Sequence, residues 1–317
     1  MTDNDIIPFS GELDTDVAEA IAFHMDFLDL VKFSHTCRNN QAAVQNVLSE
    51  RIVQIITRTL HYHARGFCDL LFENGVVVVG SSVTWILNAN PTWTPHDLNL
   101  VAPAGKAGVI AEFLVQQGFE QKESKEMGWR LSRNGLQLWE FEGPLCPGTT
   151  GIHDYCGNVT IMESRSASVW PCILDSEATS HKDVISSHYI VSLTPKLSCH
   201  NTIYVVDHDD KMHYANKGIN VIGWPSSNMR CDLWCPSECR YLKGGMGVGL
   251  LQWRARHTGP HDVTDDMVDT EYPEQPGSFF ASEDLEDDGP YCMYAECYNP
   301  ICPRRWRQRS WSEAGWE

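Results

Sequence analysis

A run of four valines, Val76 to Val79, leads directly into Gly80-Ser81-Ser82. An uninterrupted β-branched run fits a strand buried on both faces. Gly80 lets the backbone turn sharply and approach a ligand with no Cβ in the way. An apolar segment follows, then a Pro-bounded loop, then Asp97-Leu98-Asn99-Leu100. That alternation puts Asp97 and Asn99 on one face of a second strand. Ser81 and Ser82 either present hydroxyl and amide donors to a phosphate or cap the helix expected over 83–87.

A strand, a Gly-Ser turn, a helix and a second strand with polar residues two apart resemble the nucleotidyltransferase fold of the DNA polymerase β type. The resemblance covers roughly residues 70–200. It implies that Gly80, Ser81 and Ser82 contact nucleotide phosphates. It also implies that Asp97 and its partner two residues on bind catalytic metal. The chain departs from the family at that partner, which is Asn99. The third acid of the family belongs on a later strand, here Asn158-Val159-Thr160-Ile161-Met162, and its slot falls on Thr160. Magnesium-type cations want oxygen ligands, mainly carboxylates and phosphates, so Asp97 with two neutral neighbours makes a poor paired-metal site. Glu163 or Glu140 is the candidate replacement. In an ideal strand Glu163 faces away from Thr160, so its use requires a bulge.

No Pro or Gly occurs from 12 to 65, and this region is expected to be all helix with short turns. Val17, Ala20, Ile21 and Met25 fall at helical spacing behind Asp14, Thr15 or Asp16 as N-cap. Val44, Val47, Leu48, Ile52, Ile55, Ile56 and Leu60 form a second stripe. Pro8, the apolar helix around Ile21, the Asp29-Leu30 step and Thr36-Cys37-Arg38 make the segment 16–48 resemble an F-box. In this chain Ile7-Pro8-Phe9-Ser10 replaces the usual Leu-Pro-x-Glu opening, and no Trp follows the Cys-Arg step. The resemblance implies docking on a Skp-type adaptor of cullin ubiquitin ligases through Ile21, Met25, Leu28, Leu30 and Phe33. The alternative is a helical hairpin that packs onto the next domain. Both parts together, with Trp93-Thr94-Pro95-His96-Asp97 and Ser192-Leu193-Thr194-Pro195, resemble an architecture of filamentous fungi whose activity is mostly uncharacterised.

Further along, 106–117 reads as an amphipathic helix with Val109, Ile110, Phe113 and Leu114 on one face and Gly118 as its stop. Asn134-Gly135 reads as a type I′ hairpin turn. Residues 182–190 are expected to be helical behind Thr179-Ser180, with His181 and His188 at the surface. His61 and His63 are expected to face solvent. Short strands are expected over 201–206 and 220–222. The fold class is therefore α+β: a helical head (1–66), a mixed-sheet domain (67–200) with an extension (201–260), and an acidic tail (261–317).

The formal net charge of -18 argues against general nucleic-acid binding, which needs a basic footprint. Asp3 and Asp5 stand where an export signal carries basic residues, and no aliphatic run is long enough to span a bilayer. A cytoplasmic or nuclear protein is expected, with most of its 12 cysteines as thiols. Cys231, Cys235 and Cys239 recur every four residues, and Cys292, Cys297 and Cys302 every five. Neither triplet has a C-x2-C knuckle, so thiols are favoured over the alternative, a combined zinc site of both triplets with or without His257 or His261. The stretch 262–288 has eleven Asp or Glu and no Lys or Arg, and reads as disordered. Arg304, Arg305, Arg307 and Arg309, interleaved with Trp, find those acids before any nucleic acid.

An interaction adaptor with a degenerate nucleotidyltransferase domain and no cofactor is the leading expectation. The alternative is a metal-dependent nucleotidyltransferase using magnesium and a nucleotide.

Overall fold

In a computed structural model, residues 13–60, 64–89, 91–122, 125–126, 135–144, 157–174, 176, 179–204, 211–212, 214–215, 218–222, 239–240, 249–253 and 291–292 are described. The head is helical as expected. It comprises α1 (Thr15–Phe23), α2 (Phe27–Ser34), α3 (Arg38–Leu60) and α4 (Ala64–Glu73). Asp14 is the N-cap position of α1, and the Asp26 side chain caps α2 by accepting from the Asp29 amide. The boundary expected at 66 falls inside α4.

After α4 come β1 (Val77–Val79), α5 (Ser81–Leu87), β2 (Asp97–Ala102) and α6 (Ala107–Gln116). Next are β3 (Glu120–Gln121), β4 (Lys125–Glu126), β5 (Gly135–Glu142), β6 (Asn158–Ser164) and α7 (Trp170–Leu174). A 3-10 turn (Thr179–Lys182) precedes β7 (Asp183–Ile185), β8 (Tyr189–Ser192) and α8 (Pro195–Ser198). The remaining strands are β9 (Thr202–Tyr204), β10 (Asn220–Ile222), β11 (Cys239–Arg240), β12 (Gly249–Gln252) and β13 (Tyr291–Cys292).

Nine strands form one mixed sheet in the order β12-β8-β7-β1-β2-β6-β5-β3, with β4 also on β5. β2 runs antiparallel to β1 and parallel to β6. The chain is thus mixed α/β, with its helical head at the N-terminus. Among the described residues no helix is long and apolar enough to cross a membrane.

Alternation along the strands sorts two cores. Val78, Leu98, Leu100, Val159 and Ile161 face one side and join α3, α4, α5 and α6 in the larger cluster. Val77, Val79, Val101, Val184 and Val191 face the other side and pack with α7. The larger cluster also takes in Ala22, Phe27 and Leu30 of the head, so head and sheet share one interior. Arg51 of α3 crosses that junction. Its guanidinium donates to the Phe23 carbonyl at 2.8 Å, the Met25 carbonyl at 3.1 Å and the Ile86 carbonyl at 3.0 Å. Burial pulls its pKa down to about 10, partly offset by Asp26, and the group stays charged at neutral pH.

Three expectations are corrected. Residues 183–192 form the β7–β8 hairpin and not a helix. Val184, Ile185, Ile190 and Val191 are buried, and the hairpin fills the place between β1 and β12. Ser186 closes its turn by exchanging hydrogen bonds with Tyr189. The expected Asn134-Gly135 turn requires Arg133 opposite Leu136. Instead Lys125 opposes Leu138, and Gly135 is already in a strand opposite Ser164; Asn134 lies outside the described residues. In α6, Ile110 and Leu114 are buried, but Val109 is exposed. His61, His63, the acidic stretch and the Arg-Trp end lie outside the described residues.

Asp183 at the start of β7 is fully buried and accepts from the Ser192 hydroxyl at 2.6 Å and from the Ser198 hydroxyl. Burial pushes its pKa up to about 6, against the opposing pull of these hydroxyls and the Leu193 and Thr194 amides. A folded-state pKa above the unfolded one favours the protonated fold. The resulting stability is complete below the unfolded carboxylate pKa and is lost as pH rises through about 6. Lowering pH from 7 to 5 is therefore expected to add about 1 kcal/mol through this residue. Urea melts of the native chain and Asp183→Asn at both pH values measure it; equal pH slopes would refute the assignment.

Candidate functional site

Gly80 sits at φ 81° and ψ -150°, a conformation essentially reserved for glycine. It ends β1 and is the N-cap position of α5. The turn brings its Cα close to two side chains. A Cβ there would stand 3.2 Å from Asn99 Nδ2 and 3.3 Å from His181 Cδ2.

Neither serine hydroxyl caps α5. Ser82 Oγ donates to the Asp97 carbonyl at 3.0 Å, which ties the turn to the first residue of β2. Ser81 Oγ is buried and has no hydrogen-bond partner among the described residues. A buried hydroxyl without a partner costs on the order of 1–3 kcal/mol, so it is a group with hydrogen-bonding capacity in reserve.

Asp97 and Asn99 are half-buried and share a face of β2, as their spacing predicts. Asn99 Nδ2 donates to Asp97 Oδ2 at 2.9 Å. Val79 of β1 lies opposite Asn99 on one side, and Thr160 of β6 on the other. The Thr160 register read from sequence therefore holds. Glu140 of β5 stands opposite Thr160, on this same face. Two strand spacings, roughly 10 Å, separate β5 from β2. Glu163 is on the opposite face, where its carboxylate accepts from the Gly105 amide at 2.6 Å and holds the approach to α6. No bulge brings it round, and it drops out as a replacement acid.

His181 is the site residue that the sequence did not reveal. It is half-buried beside Gly80, not a surface histidine. Its Nδ1 lies 3.1 Å from Ser176 Oγ and its Nε2 3.3 Å from the Tyr214 hydroxyl. Ser176 lies only five residues before His181, but Gly80 and Tyr214 come from distant segments, and no local pattern announces those two contacts. His188 is exposed, as expected.

The residues implied for docking divide. Ile21 is exposed on α1, together with Val17 and Phe23. Met25, Leu28 and Phe33 are half-buried against the larger core. Leu30 is wholly inside it and offers no surface to a partner, because α2 turns this side chain onto α3 and the sheet. Among the described residues no group of three or more His, Cys, Asp or Glu side chains is placed to hold a metal ion. Cys68, Cys172 and Cys199 are buried free thiols, and burial first of all pushes the Cys68 and Cys199 pKa values up to about 12.

No model of a known protein family matches the chain, and no curated protein matches its sequence.

Proposed function

We propose that this chain is an interaction adaptor. In this reading a domain of the nucleotidyltransferase type has lost its paired-metal chemistry, and an F-box-like head recruits a Skp-type subunit of a cullin ubiquitin ligase. The Asn99 amide against the Asp97 carboxylate, at 2.9 Å, carries the first part. A second carboxylate at Asn99 would add negative charge for a cation. The amide instead occupies a carboxylate lone pair and adds none. Thr160 beside it is equally neutral. Support for the head is the exposed apolar trio Val17, Ile21 and Phe23 on α1. The docking set is accordingly centred on Ile21 and no longer includes Leu30.

A second reading, metal-dependent nucleotidyl transfer, is favoured by one observation: Glu140 lies on the cleft face opposite Thr160. In it Asp97 and Glu140 hold the metal, Asn99 assists, and the Gly80 turn with Ser81 contacts phosphate.

Calorimetry of the full chain with ATP plus magnesium or manganese separates the two. The adaptor reading expects no metal-dependent nucleotide binding. Saturable binding abolished by both Asp97→Asn and Glu140→Gln would establish the second reading instead. Ligase recruitment is tested with the full chain and a purified Skp-type adaptor. Native protein is expected to bind and Ile21→Glu to lose most of the affinity; no association of the native chain would sink that part.

A further inference from the structure

A surface helix ordinarily buries its larger apolar side chains and exposes its smaller or polar ones. Helix α1 does the reverse. It packs inward through Ala18 and Ala22, while Val17 and Ile21 are exposed. With Ala20, also exposed, they form a stripe that runs from Asp14 at the N-cap position to His24 at the C-cap position. Residues 14, 17, 20, 21 and 24 share one helix face because successive members lie one, three or four apart. We propose that this stripe is the contact of a weak homodimer, in which α1 lies antiparallel on α1 of a second copy about a two-fold axis.

The order of the stripe singles out a second copy. Read from one end it is acid, apolar, apolar, imidazole. Reversed against itself, it sets Asp14 against the partner's His24 and Val17 against the partner's Ile21. Two-fold symmetry makes each of these matches twice. An imidazole carries an N–H in either protonation state, and that N–H donates to a carboxylate. A parallel pairing would instead set carboxylate on carboxylate. Antiparallel helices also oppose their macrodipoles favourably.

Both polar ends are free to take part. Asp14 stands at the N-cap position, yet its side chain makes no capping hydrogen bond. His24 is exposed, and its ring is set edge-on to Phe23 with centroids 5.5 Å apart. Ala20 lies between Val17 and Ile21, where the two-fold axis falls, and a methyl group there lets the helix axes approach toward ~8 Å.

The contact is small. One face of a nine-residue helix covers far less than the roughly 800 Å² per partner of a standard interface, so the dimer is weak and grows with concentration. This is also the face offered above to a Skp-type subunit, and it is too narrow for both occupants at once. The dimer does not rest on that reading, because its test uses this chain alone.

Sedimentation equilibrium of the purified full chain over a wide concentration range is expected to show a monomer–dimer equilibrium. Ile21→Glu is expected to weaken association about tenfold or more. Val109→Glu, at an exposed apolar position of α6, is expected to leave it unchanged. His24→Asp sets two carboxylates together at each end of the contact, and Asp14→His two imidazoles; each is expected to weaken the dimer severalfold. Combining them reverses the pair and is expected to restore most of the native affinity. Circular dichroism checks that each variant is folded, and the native chain decides the matter even if one is not. A native chain that stays monomeric at every concentration would overturn the dimer, and if it still binds a Skp-type subunit the adaptor reading stands. A dimer that survives Ile21→Glu overturns the proposal too, as does a double variant no tighter than the single ones.

Discussion

Replacing Arg51 with methionine is expected to lower stability by about 3–5 kcal/mol, because hydrogen bonds from a charged donor contribute ~1.5–3 kcal/mol each and buried carbonyls lose their partner. Three carbonyls are affected, those of Phe23, Met25 and Ile86. Methionine keeps much of the apolar stem and removes the donors, so cavity formation contributes little. Arg38 is on the same helix but exposed, and Arg38→Met is expected to change stability by no more than about 0.5 kcal/mol. Urea unfolding of both variants measures the difference. The transition itself is informative, because none of the Trp residues lies in α1, α2 or α3. Circular dichroism weighs the helical head, and tryptophan fluorescence weighs the rest. One shared interior predicts coincident curves. An early helical phase silent in fluorescence would show that the head unfolds on its own. A small Arg51→Met effect would mean that water readily replaces the guanidinium.

Gly80→Ala is expected to cost about 2–3 kcal/mol, since a non-glycine residue held in so sparse a backbone region costs ~1–3 kcal/mol before any crowding. Crowding adds to it: the new methyl group falls 3.2 Å from Asn99 Nδ2 and 3.3 Å from His181 Cδ2. One of these side chains or the turn itself must shift. The same substitution at Gly108, exposed in α6 with nothing near a new Cβ, is expected to stabilise by about 0.5–1 kcal/mol. The pair therefore predicts opposite signs for one chemical change. A neutral Gly80→Ala would mean that the turn relaxes into an ordinary conformation, and the close approach of Asn99 and His181 would lose its significance.

The cleft strand was legible because its determinants are local. Four valines, a glycine at the turn and strict alternation through Leu100 leave one arrangement of β1, α5 and β2. The register of β6 followed from its own alternation, which placed Thr160 beside Asn99 and turned Glu163 away. The β7–β8 hairpin was not legible. In so short a segment the helical and strand periods fit equally well, and burial between β1 and a strand some sixty residues downstream decides between them. His181 escaped for the same reason. Its neighbours Gly80 and Tyr214 are brought to it only once the sheet has assembled. Leu30 shows the reverse error: the helical head was expected, but a motif match does not say which partner covers an apolar side chain.

Helix α5 is two turns long, and both of its ends are anchored. At one end stands the Gly80 turn; near the other, the Ile86 carbonyl is gripped by Arg51, which also grips the chain leaving α1. A rod of roughly 10 Å thus spans the distance between head and cleft. Force applied to α1 has a stiff mechanical path to Asn99 and His181, with no loop along α5 to absorb it.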